Sequence, residues 1–138
     1  MKLPVQGVID CDVHIALPNT AVLLPHMDEY WREHITQRGL DQDNLDSSAY
    51  PANAPITGRP DWRGTKPGTD LKLLQGCMDA FGTKYAICNV LHGSPLMFSE
   101  DLSAAFCRAI NNWVVREWLD RDPRLDRKST RLNSSHVA

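Results

Sequence analysis

The stretch VIDCDVHI, Val8 to Ile15, decides the fold class of this chain. Its apolar positions are mostly β-branched and Pro18 follows shortly after, so the stretch predicts a β-strand that ends before residue 18. A short apolar run of this kind is typical of a buried strand in a parallel sheet. Three polar side chains interrupt the run, however, and their presence needs an explanation: Asp10, Asp12 and His14.

Helices and a second strand follow the first strand. Residues 27–35 and 71–81 carry apolar residues at helical spacing, and Gly39 and Gly82 stand where these two helices would end. Thr69 is the expected N-cap of the second helix. The segment KYAICNVL, residues 84–91, predicts a second strand, and Ser99 would cap a helix of about five turns. This alternation predicts an α/β protein with a parallel sheet.

A long irregular segment lies between the predicted helices. Residues 40–68 are rich in Pro, Gly, Asn and Asp and have no hydrophobic period, which is typical of a functional loop or a solvated excursion. Arg59 and Arg63 flank Trp62 in this segment. Their guanidinium groups could bind a substrate carboxylate through paired hydrogen bonds, or they could simply be solvated.

Composition excludes several classes of protein. The chain has 138 residues, 42% of them hydrophobic and 23% charged, which suggests one globular domain. A formal charge of −2 gives no reason to expect nucleic acid or an anionic membrane as a partner. No apolar run reaches the roughly 18 residues of a spanning helix, and the N-terminus lacks a signal peptide. Four widely spaced cysteines predict reduced, mostly buried thiols in a cytoplasmic protein.

The C-terminal segment does not look like part of a folded domain. The peptide DRKSTRLNSSH, Asp126 to His136, equals the translation of a widely used sequencing adapter. We therefore expect residues 126–138 to be a non-native tail, natural sequence to stop near Leu125, and the intact protein to be longer. The basic residues of this tail are no evidence for a nucleic-acid-binding arm.

The polar side chains of the first strand suggest a metal site. Because side chains alternate along a strand, Asp10, Asp12 and His14 should point to the same side. Asp12 and His14 should reach past the carboxyl end of the strand, where α/β proteins place their active sites. Zn, Mn, Fe or Ni would accept this pair, and Mg less readily. The alternative is a hydrogen-bonded Asp–His pair that caps the strand end.

A second alternative comes from the sequence DCDV, residues 10–13. It partly fits the haloacid-dehalogenase pattern, in which Asp10 would be the nucleophile and Asp12 the acid of a phosphatase. That pattern has a small residue and then Thr or Val after the second aspartate. Here these positions hold Val13 and His14, so the fit is poor.

Three segments together resemble one enzyme family. They are GVIDCDVHIALPNTAVLLPHMDEYWREHI (7–35), GTDLKLLQGCMDAFGTKYAICNVL (68–91) and DLSAAFCRAINNWVVREWLDRDPRL (101–125). They resemble successive segments of the amidohydrolase-related family, the branch of the amidohydrolase superfamily that includes aminocarboxymuconate-semialdehyde decarboxylase. The likeness covers about Val5 to Leu125.

This resemblance implies a fold, a cofactor and a reaction. The fold would be a distorted (β/α)₈ TIM barrel, of which residues 1–125 form an incomplete N-terminal part. The cofactor would be one divalent metal, most often Zn, held in part by Asp12 and His14, where Asp12 replaces the family's usual histidine. The remaining ligands and the catalytic acid or base would lie beyond Leu125. The full-length enzyme would be a hydrolase or non-oxidative decarboxylase of a small carboxylic or cyclic substrate, and this chain a truncated, inactive fragment.

Further candidates lie on the second strand and the long helix. Asn89 and His92, at the carboxyl end of the second strand, are candidate substrate-binding residues, although a loop histidine with no role is an alternative for His92. Exposed faces of Trp113 and Trp118 would be consistent with a missing part of the fold or with a subunit contact. A homo-oligomer is therefore compatible with the sequence.

Overall fold

The structure is a computed structural model that describes residues 7–41, 67–90, 92–94, 97 and 99–127. Most of the long irregular segment lies outside the described residues, and the predictions for Arg59 and Arg63 lie there with it. Residues 128–138 of the predicted tail are also outside them. The first two residues of that tail, Asp126 and Arg127, belong to a strand.

Strands and helices alternate along the described chain. In chain order the elements are β1 (Val8–Ile15), a 3-10 segment (Thr20–His26), α1 (Glu29–Gln37), a 3-10 turn (Pro67–Thr69), α2 (Leu71–Phe81), β2 (Thr83–Val90), α3 (Glu100–Glu117), a second 3-10 turn (Leu119–Arg121) and β3 (Leu125–Arg127). No helix in these parts of the chain is long and apolar enough to cross a membrane.

The helix ends follow local sequence signals, with one correction. Ser99 caps α3 with its side chain, and Gly82 ends α2 at a φ of 67°, both as predicted. The N-cap of α2 is Asp70, whose carboxylate accepts a hydrogen bond from the Leu73 amide at 3.0 Å. The prediction of Thr69 as the cap is wrong because Thr69 belongs to the preceding 3-10 turn. Asp70, between that turn and α2, has the extended backbone that an N-cap residue adopts.

The three strands form an open parallel sheet in the order β1-β2-β3. The parallel sheet is confirmed, but the prediction of a TIM barrel is wrong. A barrel closes when its first and last strands pair, whereas the described part of β1 and of β3 each pairs only with β2. The described residues therefore form a small α/β arrangement whose open sheet has β1 and β3 at its edges.

The two faces of the sheet differ in burial. One face of β2 is buried in the core and is called the packed face: Ala86, Cys88 and Val90. The opposite face is exposed or half-buried and is called the open face: Tyr85, Ile87 and Asn89. On β1, Ile9 is in register with Tyr85 and is 55% exposed.

The prediction that β1 is a buried strand is wrong over residues 9–12, which are all exposed. The reason is position: β1 is an edge strand of the described sheet, so only one neighbour covers it.

The core lies between the packed face and the helices. Phe106 and Ile110 of α3 are fully buried, and they belong to the same cluster as Leu23 of the first 3-10 segment. Trp113 and Trp118, predicted to present exposed faces, are buried, with ring centroids 6.3 Å apart. That prediction is wrong because the end of α3 packs into this cluster, and these rings offer no subunit contact.

Gly68 sets the position of the carboxyl end of β1. Its carbonyl oxygen accepts a hydrogen bond from the Ala16 amide at 2.8 Å. A Cβ atom on Gly68 would overlap the carbonyl oxygen of His14 and lie 3.3 Å from the Cα of Ile15. Because these neighbours are backbone atoms, they cannot rotate away as a side chain could.

We expect Gly68→Ala to lower the free energy of unfolding by about 1–3 kcal/mol through this overlap. Urea unfolding measures the change. Gly76→Ala is the matched control, since a Cβ there meets nothing within 4 Å and Gly76 lies inside α2. The control should stabilise the chain by about 0.5–1 kcal/mol. Equal effects of the two substitutions would contradict the close approach at Gly68.

Candidate metal centre

A bulge in β1 interrupts the alternation of its side chains. Asp10 is in register with Ala86, and Val13 with Cys88. Over this interval β1 therefore contains one residue more than β2, which is the signature of a β-bulge. Asp10 shares the packed side of the sheet with Ala86, and the bulge reverses the alternation for the residues that follow.

Asp12 and His14 lie together on the open face. His14 is in register with Asn89, and the Oδ1 atom of Asp12 lies 3.1 Å from the Nε2 atom of His14. The two side chains therefore lie side by side near the carboxyl end of β1, as their spacing predicts. The prediction that Asp10 joins them is wrong, because the bulge places Asp10 on the other face.

This separation disfavours the phosphatase alternative. A nucleophile and a general acid must both reach one phosphoryl group. Asp10 and Asp12 point to opposite faces, and Asp10 instead accepts a hydrogen bond from the backbone amide of Asp12 at 3.1 Å. Its carboxylate thus helps to shape the bulge.

The geometry of Asp12 and His14 fits two ligands of a zinc ion. Zn lies about 2.0–2.2 Å from carboxylate oxygens and imidazole nitrogens, so a separation of 3.1 Å corresponds to an angle of roughly 90–100° at the metal. That angle is somewhat below the tetrahedral value of about 109°. The side chains are 71% exposed at Asp12 and 34% exposed at His14, so an ion from solvent can reach them.

The same geometry also describes a capped strand end. With no metal, the 3.1 Å contact is a hydrogen bond or ion pair between carboxylate and imidazole. A pair this exposed contributes at most about 1 kcal/mol to stability. The purely structural interpretation therefore accounts for the contact, but it gives little reason to place both groups in a strand.

The described residues supply only two protein ligands. No group of three or more His, Cys, Asp or Glu side chains suited to a metal occurs among them. A bound ion would need further ligands from water, from substrate, from other parts of the protein or from a second molecule.

The two substrate-binding candidates of the second strand lie in different environments. Asn89 is half-buried on the open face beside His14. His92 is buried, with 8% of its surface exposed, and its Nδ1 atom accepts a hydrogen bond from the Ser94 amide at 3.0 Å. This bond favours a neutral ring with its proton on Nε2. The ring of His92 stacks on Phe106, with centroids 5.6 Å apart.

A buried polar cluster at the start of α3 was missed from the sequence. Ser103 donates a short hydrogen bond to the carbonyl oxygen of Ser94, and the Cys107 thiol lies 3.8 Å from the Ser94 hydroxyl. These side chains hold the loop that carries His92 against the helix. Ser103 and Cys107 are four residues apart in α3, on a face that is otherwise apolar. This spacing could have indicated from the sequence that the two side chains lie together in the core.

The cysteines are free thiols, as predicted, although Cys11 is exposed. Burial, together with the smaller effect of the Asp10 and Asp126 carboxylates, raises the pKa of the Cys88 thiol to about 11. Cys88 is therefore a neutral thiol at pH 7. Because it also lies on the packed face, it is no ligand for an ion at Asp12 and His14.

Comparison of the chain with protein-family models gave no match, and comparison with curated proteins gave none either. The resemblance to the amidohydrolase-related family therefore stays a prediction from the quoted segments.

Proposed function

We propose that this chain belongs to a metal-dependent hydrolase or non-oxidative decarboxylase of the amidohydrolase-related family. Its substrate would be a small carboxylic or cyclic molecule, and its compartment the cytoplasm. Asp12 and His14 would be ligands of one divalent ion, Zn before Mn or Fe, because a mixed carboxylate and imidazole pair suits these metals.

The observation that carries this proposal is the placement of the pair. Asp12 and His14 meet at 3.1 Å on the open face, near the carboxyl end of a parallel strand. Catalytic groups of α/β proteins gather at that end, because the loops that follow the strands surround it. Two exposed metal-binding side chains at such a place favour a site over a structural role.

The other candidate residues have distinct roles in the proposal. A bound ion would polarise a substrate oxygen or lower the pKa of a water molecule. Asn89, beside His14 on β2, would offer its amide group to the substrate. His92 would hold the loop after β2 with its buried ring and donate from Nε2. Arg59 and Arg63 would bind a substrate carboxylate.

A non-catalytic role for the 138-residue chain is the second candidate, and the ligand count favours it for this polypeptide. Two ligands among the described residues hold Zn weakly compared with the three or four of resident zinc sites. We expect weak Zn binding and no turnover from the chain as it stands.

A zinc titration of dilute chain tests the metal ligands. Asp12→Asn and His14→Ala should each lower the affinity for Zn by roughly 10–100-fold or more. Loss of a residue that only hydrogen-bonds to a metal ligand already has an effect of about this size, and loss of a ligand itself should have no smaller one. Asp120→Asn and His34→Ala are matched controls, because both residues lie on other elements. Circular dichroism should show an unchanged fold for all four variants.

Two results would contradict the proposal. One is a double variant, Asp12→Asn with His14→Ala, that binds Zn as well as the parent chain. The other is tight stoichiometric binding to the dilute chain, which would mean that the ligand set differs from the one proposed.

A further inference from the structure

We propose that Asp10 is a positioning residue for the Asp12–His14 pair. Its carboxylate holds the backbone of Asp12 within the bulge of β1 and so fixes where the Asp12 side chain stands relative to His14. This inference rests on the metal ligands of the proposed function. It adds a residue that binds neither the ion nor the substrate but sets how tightly the pair binds a divalent cation.

The contact that carries the inference is a hydrogen bond inside the bulge. The backbone amide of Asp12 donates to the Oδ1 atom of Asp10 at 3.1 Å. Asp12 lies in the interval where β1 has one residue more than β2, between the residues in register with Ala86 and Cys88. A bulge disrupts the regular ladder of backbone hydrogen bonds at such a point. The Asp10 side chain therefore supplies the Asp12 amide with an acceptor from within β1 itself.

Asp10 acts on the site through the backbone and not as a ligand. It lies on the packed side of the sheet, in register with Ala86, whereas Asp12 and His14 lie on the open face. Asp10, Asp12 and His14 do not come together as one group suited to a metal ion. Loss of the Asp10 carboxylate would therefore leave both ligands in the chain and would change how firmly the Asp12 backbone is held.

Backbone contacts of two different kinds hold the two ligands. Gly68 packs so closely behind His14 that a Cβ atom on it would overlap the His14 carbonyl oxygen, and its own carbonyl accepts from the Ala16 amide at 2.8 Å. Asp12 lies two residues earlier, inside the bulge, with 71% of its side chain exposed. The hydrogen bond to Asp10 ties this exposed ligand to the preceding part of β1.

A backbone that is held before the ion arrives raises the affinity for the ion. A group that must be ordered on binding lowers the affinity by the entropy it loses, and a group already held in the bound geometry avoids that loss. The Oδ1 atom of Asp12 and the Nε2 atom of His14 are 3.1 Å apart, a separation that two ligands of one ion can adopt. A freer Asp12 backbone would populate other separations, so the ion would bind less tightly.

Calorimetric titration of Zn²⁺ into the full 138-residue chain tests this role with two substitutions of Asp10. Asp10→Ala removes the acceptor and should lower the affinity for Zn²⁺ by roughly tenfold, which corresponds to the loss of one hydrogen bond. Asp10→Asn removes the charge but keeps an oxygen that can accept from the Asp12 amide. At an ionic strength of about 0.15 M, where salt screens exposed charges, its affinity should stay within about twofold of that of the parent chain.

Two further measurements separate positioning from a general loss of structure. Hydrogen exchange followed by NMR should be faster at the Asp12 amide in Asp10→Ala than in the parent chain or in Asp10→Asn. Val114→Ala, at a buried position of α3, should lower the free energy of unfolding and leave the affinity of the folded chain for Zn²⁺ unchanged. Asp10→Val also lacks an acceptor and suits a strand, so it replaces the alanine variant if that variant does not fold.

Failure of this inference can be told apart from failure of the proposed function. An affinity of Asp10→Ala equal to that of the parent chain, or equal losses in Asp10→Ala and Asp10→Asn, would overturn the positioning role. The metal ligands would still stand in that case, provided that Asp12→Asn and His14→Ala weaken binding. If these two ligand variants bind Zn²⁺ as the parent chain does, the metal site is overturned and the role of Asp10 with it.

Discussion

Replacement of Asp122 by asparagine is expected to lower the free energy of unfolding by about 3 kcal/mol, because it removes a buried carboxylate from its ion pair with the half-buried Arg124. Asp122 is 4% exposed. Its Oδ1 atom accepts a hydrogen bond from the Arg124 amide at 2.9 Å, and its Oδ2 atom accepts from Arg124 at 2.8 Å and from Gln75 at 2.9 Å. Arg124 also donates to Asp79 at 2.6 Å. Since Gln75 and Asp79 belong to α2, the cluster ties that helix to the start of β3.

The same carboxylate makes stability depend on pH. Hydrogen bonds from Arg124 hold the pKa of Asp122 well below its usual range despite its burial, and a hydrogen bond from Gln75 lowers the pKa in the same direction. The unfolded chain, with an aspartate pKa of about 3.9, then binds more protons than the native state at acid pH. The stabilisation is complete above roughly pH 5 and is lost as the pH falls below about 4 toward the native pKa.

Urea unfolding of parent and variant at a series of pH values between neutral and acid measures both effects. The difference in free energy of unfolding between the parent chain and the Asp122→Asn variant should be largest at neutral pH and should shrink as the pH falls. Asp120→Asn is the control, because Asp120 is exposed in the turn before Asp122. A difference that stays constant down to low pH would contradict the assignment of the pKa shift to Asp122.

Replacement of Phe106 by alanine should cost about 3–5 kcal/mol, the usual range for a buried aromatic residue. Phe106 is fully buried in the middle of α3, and its ring stacks on the ring of His92 with an interplanar angle of 27°. The substitution leaves a cavity in the core cluster and removes the surface that supports His92. The loop between β2 and α3 should therefore lose order as well.

Chemical unfolding followed by tryptophan fluorescence measures this effect, since Trp113 and Trp118 lie in the same cluster. Phe106→Leu is the companion variant, because it keeps most of the volume and should cost under about 1.5 kcal/mol. It keeps the test available if the alanine variant does not fold. A cost of the alanine variant no larger than that of the leucine variant would show that Phe106 is not part of the core.

Local signals in the sequence predicted much of the fold. The caps at Ser99 and Gly82 are where the residue types place them, because a hydroxyl group and the absence of a Cβ act within one helical turn. The short strand β3 was missed: Leu125 to Arg127 has too few residues to show a period, and it becomes a strand only because β2 offers it a partner.

The candidate site was predicted in part. The pair of Asp12 and His14 follows from their spacing of two, which puts both side chains on one face of any regular strand. The position of Asp10 could not be predicted, since the bulge depends on how β1 pairs with β2. The burial of His92 could not be predicted from the sequence either, because it depends on packing against Phe106, which is not a neighbour in the chain.

By itself, the sequence determined the alternation of strands and helices, the helix caps and the meeting of one carboxylate with one imidazole. Each of these depends on interactions between residues that are close in the chain. Only the tertiary structure decided that the described sheet is open, that β1 lies at its edge with residues 9–12 exposed, and that Trp113 and Trp118 are buried. These properties depend on which surfaces meet after the chain has folded, and neither the period nor the type of neighbouring residues contains that information.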